Sequence, residues 1–324
     1  MKAKFWGTRG SLPQAMSHKD WMDSFEYAAK VAEKLGLKSI AEMSAALKRN
    51  EMGIISYGGN TTCTEIEHNN QVFLVDMGSG LREAGTFHMS KGRKEFHIFL
   101  THMHWDHIMG LPFFVPVHVP GFVTHVHHIH KNTPEFVRIN FNGVNFPLSW
   151  EQLGGKIEFH AHKLYEKIPF GDVTVQSYVL DHPGGSFGYR FEAGGKSLAI
   201  GVDGEFKRIS PKELGKDLEF YQNLDVLIFD AQYEMAELAS RFDWGHCSPN
   251  IGVDLALREK IRNIVFTHHD PWATADKLRR MYDHAKTYLH QQMPAFTEAW
   301  ANVPGKAPNL LMSYDGLVLD LDNL

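Results

Sequence analysis

Short apolar runs that stop abruptly at histidine or aspartate recur along the chain. Phe96–Leu100 leads into Thr101-His102-Met103-His104-Trp105-Asp106-His107, and Val173–Leu180 ends at Asp181-His182-Pro183-Gly184-Gly185. Ser197–Ile200 ends at Gly201-Val202-Asp203-Gly204, and Ile264–Thr267 ends at His268-His269. Runs of about four to eight apolar or alternating residues bounded by turn residues predict β-strands. In α/β folds the chemistry sits where such strands end.

Further elements follow from the same pattern. Residues 2–10 predict a first strand, 63–67 and 71–76 two more, and 80–88 a short helix. Gly110–Phe114 predicts a helix start and an apolar wall. The alternation in Thr124-His125-Val126-His127-His128-Ile129-His130 suits a strand, and no carboxylate accompanies it in sequence, so it predicts a strand face rather than a metal site. Residues 132–155 predict a loop with a short helix at Ser149–Leu153, with Phe141, Phe146 and Trp150 in a core, stacking on a base being the alternative. Strands alternate with turns from 157 to 204, and helices with strands from 211 to 267. Ala275–Gln292 predicts a long helix and Leu310–Leu321 closing strands. Between 14 and 56, Trp21, Met22, Phe25, Ala28, Ala29, Val31 and Ala32 recur at helical spacing and Ile40–Leu47 starts a second helix-like segment. This helical pair predicts packing or a homodimer contact, with a lid as the alternative.

The first apolar-run terminus carries the densest chemistry. HxHxDH places three imidazoles and a carboxylate within six positions, a donor set suited to zinc, manganese or iron(II). A two-metal site needs more ligands than one loop holds, and the later strand ends supply candidates at His182, Asp203 and His268. Ligands spread from His102 to His268 must converge, which predicts one domain over 1–324 with a helical insertion at about 14–56.

At these motifs the chain resembles the metallo-β-lactamase-fold hydrolases, and within them the phosphodiesterase branch of cyclic-nucleotide phosphodiesterases and RNase Z. The resemblance runs through Phe5-Trp6-Gly7-Thr8-Arg9-Gly10-Ser11, Tyr57-Gly58-Gly59-Asn60-Thr61, Asp76-Met77-Gly78-Ser79-Gly80, HxHxDH and the three later positions. It implies a four-layer αββα sandwich and two divalent metal ions, zinc first, with manganese or iron as alternatives. It implies one metal on His102, His104 and His182, a second on Asp106, His107 and His268, and Asp203 bridging both. A hydroxide between the ions would then be the nucleophile, with Asp106 and His246 the catalytic candidates. Asp76 resembles a carboxylate that orients a metal-bound imidazole, although a strand-end turn residue fits equally. Trp244-Gly245-His246-Cys247-Ser248 resembles a motif whose histidine protonates the leaving alkoxide; Ser248 as cap before Pro249 fits the same segment. Cys247 stands where the branch has a hydroxyl and reads as a small buried residue, with a soft ligand as the alternative. Asp230-Ala231-Gln232-Tyr233 also resembles the branch, its role left open. His269 is expected to point away from the metals, and Asp270-Pro271 to form a turn.

Composition bounds the substrate and compartment. The chain has 324 residues, 43% hydrophobic, and a formal net charge of −5. Proteins that grip long nucleic acids usually show a basic face, and Lys207-Arg208 and Arg279-Arg280 are isolated pairs. There is no Gly/Pro-rich basic arm like that with which RNase Z family members hold tRNA. A small phosphodiester, a cyclic nucleotide foremost, is therefore expected as substrate, with no long nucleic acid as partner. The alternatives are RNase Z-like cleavage of RNA, lactone or thioester hydrolysis on the same metals, and a binder without catalysis. No apolar run approaches the roughly 20 residues that cross a bilayer, the start lacks a signal-peptide pattern, and Cys63 and Cys247 suit a reducing interior; no membrane partner and a cytoplasmic location are expected.

Overall fold

The computed structural model of the chain describes all residues except Asn50, which falls within the expected insertion, and Ile209. Strands β1 (Lys2–Gly7), β2 (Cys63–His68), β3 (Gln71–Val75), β4 (Glu95–Phe99), β5 (Val123–His128) and β6 (Lys156–Ala161) build one sheet. A second holds β7 (Lys167–Phe170), β8 (Val173–Leu180), β9 (Ser186–Ala193), β10 (Lys196–Gly201), β11 (Val226–Asp230), β12 (Asn263–Thr267) and β13 (Asn309–Met312). β14 (Val318–Asp320) closes the first sheet beside β1, giving seven strands in each. From β3 to β6, and from β10 to β13, neighbours run parallel, so their C-terminal ends open on one side.

Alternating side chains place one apolar row of each sheet inside. Phe5, Phe73, Val75 and Phe99 of the first sheet pack on Val175, Phe191, Leu198, Ile200, Ile228 and Val265 of the second. The outer face of the second sheet is covered by helices Pro249–Glu259 and Ala275–Gln292, which contribute Val253, Leu257, Leu278 and Met281. Helix Leu81–Ser90 covers the outer face of the first, beside Phe96, Ile98 and Phe114. Four layers, helix–sheet–sheet–helix, result. The uninterrupted burial of β11 and β12 explains why these strands read as apolar runs rather than as alternations. Trp150 and Phe146 join the core cluster around Phe141, as their sequence context predicts.

The two helices between the first motifs are His18–Lys34 and Ile40–Lys48, each opened by a capping box, Ser17 with Asp20 and Ser39 with Glu42. Their mutual contact is made by Ala28, Val31, Ala32, Met43 and Ala46. Trp21 and Phe25, which share their helical spacing, instead face solvent. Arg279 ties the segment to the long helix, its guanidinium 3.5 Å from the Tyr27 ring and hydrogen-bonded to the Ile54 and Ile55 carbonyls. Among the described residues no helix is long and apolar enough to cross a membrane.

Candidate metal centre

Six strands deliver the candidate residues to one end of the sandwich. β4 leads into the HxHxDH loop, while β3, β8, β10, β11 and β12 end at Asp76, Asp181-His182, Asp203, Asp230 and His268. Asp76, Asp203 and His268 adopt positive φ of 69°, 58° and 61°. This left-handed turn swings each side chain off the strand line and into the site. For a non-glycine residue it is costly, and such strain persists where surrounding contacts over-determine it.

Two groups of donors form, joined by Asp203. Donor atoms of His102, His104, His182 and Asp203 converge in one, and those of Asp106, His107 and His268 in the other. Asp203 divides its oxygens between them. Its Oδ1 lies 3.9 Å from His102 Nε2 and 3.6 Å from His182 Nε2, while Oδ2 lies 2.9 Å from His107 Nε2 and 3.1 Å from His268 Nε2. Asp106 Oδ2 stands 3.3 Å from both His107 Nε2 and His268 Nε2. Ligands bonded at roughly 2.0–2.1 Å around a tetrahedral ion are separated by about 3.3 Å, and the observed separations straddle that value.

The buried His102 Nε2, His107 Nε2 and Asp203 Oδ2 also lack any partner in hydrogen-bond geometry. Orphaned buried polar atoms cost about 1–3 kcal/mol each, so the donor set fits a cation better than it fits itself. With protons as the only cations, burial works against charge on His268, but Asp203, Asp106 and Asp230 outweigh it and hold the imidazole up at about 10. His107 is likewise raised against its burial by Asp203, Asp106 and Asp76. His102 has no such surplus of carboxylates; burial first, then His107, holds it well below its ordinary value.

A surrounding set of groups orients the rings. Asp76 Oδ2 accepts from His107 Nδ1 at 2.8 Å, and its Oδ1 accepts from the Thr101 amide and hydroxyl. Of the two readings of Asp76, the imidazole-orienting one describes this geometry, and the turn is how it is reached. The Gly245 carbonyl accepts from His182 Nδ1 at 2.9 Å. The Ser11 amide donates to Asp106 Oδ2 at 2.7 Å. Asp230, whose role the sequence leaves open, is a hub: its Oδ2 receives His246 Nδ1 at 2.9 Å and the Asp203 amide at 3.1 Å, and lies 3.3 Å from His268 Nδ1. Its Oδ1 receives the Cys247 and Gln232 amides. Burial works against its charge, but His246 and the other donors hold it down at about 2. The sequence signal was there, an acid ending the buried run Asp225–Asp230, without any hint of which rings it meets.

The remaining candidates fall as follows. His246 is buried beside His182 and stacked on His268, with ring centroids 5.4 and 5.0 Å apart. Cys247 is free and buried, and its amide rather than its sulfur touches the site. Ser248 occupies the cap position before Pro249, yet makes no capping hydrogen bond; its hydroxyl turns to the Met235 sulfur, correcting that expectation. His269 points away, with Nε2 on the Ser313 carbonyl, and Asp270 caps the turn at Trp272. A cleft of about 350 Å³ opens beside His102 and His104, lined by His130, Lys131, Asn132, Phe136 and Gly184.

Two packed mixed sheets between helices, with a His–Asp cluster at their strand ends, define a metallo-β-lactamase fold. The chain belongs to that superfamily and is a hydrolase of it: the pattern of the Beta-lactamase superfamily domain matches residues 71–269. It is 29% identical over 178 residues to Ribonuclease Z of Staphylococcus carnosus (strain TM300), covering 52% of this chain and 55% of that protein. The chain thus spans about half the length of this curated relative. Among solved structures, the metallo-beta-lactamase fold protein YhfI from Bacillus subtilis shares the fold at a TM-score of 0.64 and 15% identity, covering 98% of each chain. Human tRNase Z, short form, does so at a TM-score of 0.56 and 15% identity, covering 99% of each.

Proposed function

We propose that the chain is a dinuclear metal-dependent phosphodiesterase acting on a small phosphodiester, a cyclic nucleotide foremost. The observation that carries this reading is the neighbourhood of Asp203. Two donor groups meet on its two oxygens, and an imidazole assigned to neither metal, His246, is held against the same point by Asp230. In this reading His102, His104 and His182 hold one cation, Asp106, His107 and His268 the other, and Asp203 both. When bound, two divalent ions supply a water of lowered pKa and neutralise charge on the phosphoryl oxygens; zinc is the first candidate, with manganese or iron compatible with the same donors.

The chain's own residues do the rest. Asp76 and the Gly245 carbonyl fix the tautomers of His107 and His182, leaving their inner nitrogens as donors. Asp230 accepts from His246 Nδ1, and when the ring carries a second proton the imidazolium presents Nε2–H to a leaving alkoxide and supplies that proton. A leaving-group acid suits a phosphodiester with a poor leaving group. Tyr233 meets His246 and Trp244 edge-on, and Arg241 lies over the Tyr233 ring, 4.2 Å from its centre, an aromatic and cationic wall that a base could pack against. The cleft lies within the roughly 300–1,000 Å³ of small-molecule sites, and Lys131 and Phe136 give it a cation and an aromatic face.

RNase Z-like cleavage of RNA is the second reading, favoured by the identity to Ribonuclease Z and opposed by the formal net charge of −5. We further propose a reducing, cytoplasmic setting, from two buried free cysteines, and a homodimer contact through the exposed Trp21 and Phe25. The test is a metal-dependent hydrolysis panel of cyclic mononucleotides, cyclic dinucleotides, a lactone and a tRNA precursor, run with His102→Ala alongside. Cyclic-nucleotide turnover that vanishes in the variant is expected. Turnover of the tRNA precursor alone, falling steeply with salt, would replace the first reading with the second.

A further inference from the structure

The histidine run on β5, with no carboxylate near it in sequence, acquires two in the fold. In the parallel register His97 of β4 lies beside His125, and His125 beside Glu158 of β6. His127 lies beside His160, and Glu95 reaches His125 from the start of β4. These side chains share one face at the edge of the first sheet, where Phe170 of β7 packs edge-on against His97 and His127.

Three donor atoms meet at one point on this face. His125 Nδ1 lies 2.9 Å from His160 Nε2 and 3.2 Å from Glu158 Oε2, and that oxygen lies 3.9 Å from His160 Nε2. A tetrahedral ion with bonds of roughly 2.0–2.1 Å separates its ligands by about 3.3 Å, the mid-range of these separations. The tautomer is set from behind. His125 Nε2 is 2.9 Å from Glu95 Oε1 and donates to it, which leaves Nδ1 as a bare lone pair. With neutral rings, a single proton on His160 can satisfy that lone pair, and the Glu158 oxygen is then set against nitrogen with no hydrogen between them. Lys156 takes the other oxygen of Glu158 and leaves Oε2 to the cluster.

We propose that His125 Nδ1, His160 Nε2 and Glu158 Oε2 form a mononuclear site for a divalent transition cation, zinc foremost, separate from the buried cluster around Asp203. Glu95 is its orienting carboxylate, in the arrangement of carboxylate, imidazole and metal that sharpens a histidine ligand. Two imidazoles and one carboxylate are a zinc donor set with a position left open to water. The His160 side chain is 38% exposed, so the ion would exchange with solvent. Occupied, the site clamps the edge strand β6 to β5.

The purified chain is loaded with excess zinc chloride, desalted, and its zinc measured by mass spectrometry beside the double variant H125A/H160A and the single variant H160Q. Thermal unfolding is followed with and without zinc. One zinc fewer per chain is expected in both variants, with a smaller zinc-induced rise in melting temperature than in the unaltered chain. Because the readout is a difference, it holds whatever the occupancy of the buried cluster. H160Q changes one partly exposed ring and keeps the comparison readable if the double variant fails to fold. A folded H160Q that carries the same zinc and shows the same melting response as the unaltered chain overturns the site.

Discussion

Asp230→Asn replaces one oxygen of a buried hub by an NH2 group without changing its shape. Two donors hydrogen-bond Oδ2, from His246 and the Asp203 amide, with His268 Nδ1 3.3 Å away, and two face Oδ1, from the Gln232 and Cys247 amides. The better orientation of the new amide keeps its oxygen on the Oδ2 side. Its NH2 then confronts two backbone N–H groups, both buried. Each orphaned donor costs about 1–3 kcal/mol, so about 2–6 kcal/mol of stability is lost. On the imidazole side, the charge-assisted hydrogen bond from His246 becomes a neutral one, roughly half as strong. Loss of such an orienting partner reduces metal affinity or activity by about 10–100-fold. The assay is kcat/KM on bis(p-nitrophenyl) phosphate at saturating zinc, with the urea midpoint measured in parallel. A variant within twofold of the unaltered chain in activity, with an unmoved midpoint, would refute the role of Asp230 as the hub that positions His246 and His268.

Three further outcomes are expected. His246→Ala should slow esters with poor leaving groups by about 10²–10⁴-fold and activated aryl esters far less; equal losses on both would remove His246 as the acid. A Cβ on Gly10 would stand 2.4 Å from His268 Cε1, so Gly10→Ala should displace that ring and lower retained zinc, measured by mass spectrometry after dialysis; full retention would refute the close packing. Burial holds the Asp315 carboxyl up at about 6, above 3.8, against the pull of amides from Asn60 and Gly59, the Thr8 hydroxyl and Arg9. Its contribution to stability is thus fully present below pH 3.8 and lost as pH rises through about 6. The urea midpoint of Asp315→Asn relative to the unaltered chain should therefore rise between pH 4 and pH 7, and a constant difference would contradict it.

The strand ends were legible in the sequence because a buried strand leaves a local mark: an apolar run, followed within three positions by a histidine or aspartate able to donate to a metal. HxHxDH, His182, Asp203 and His268 all follow that rule, and the long helix Ala275–Gln292 was visible from its periodicity alone. The inserted helices were visible too, but not which of their apolar residues would be buried. Trp21 and Phe25 share the spacing of Ala28 and Val31, yet the fold leaves the first two in solvent and packs the other two on the second helix.

Partnerships between strands lie beyond local pattern, because register and layer packing set them. Asp230 could be read as an acid ending a strand; that it holds His246 and His268 depends on β11 lying parallel to β12. The split of Asp203 between two donor groups needs four strand ends to meet. The β5 histidines make the same point most plainly. Their own sequence carries no carboxylate, and the parallel pairing of β4, β5 and β6 brings Glu95 and Glu158 to them from 30 and 33 residues away along the chain. Sequence alone determined which side chains have donor atoms to offer and where strands end, since both depend on a few neighbouring side chains. The tertiary structure decided which donors face each other, since that depends on the order in which strands assemble into sheets.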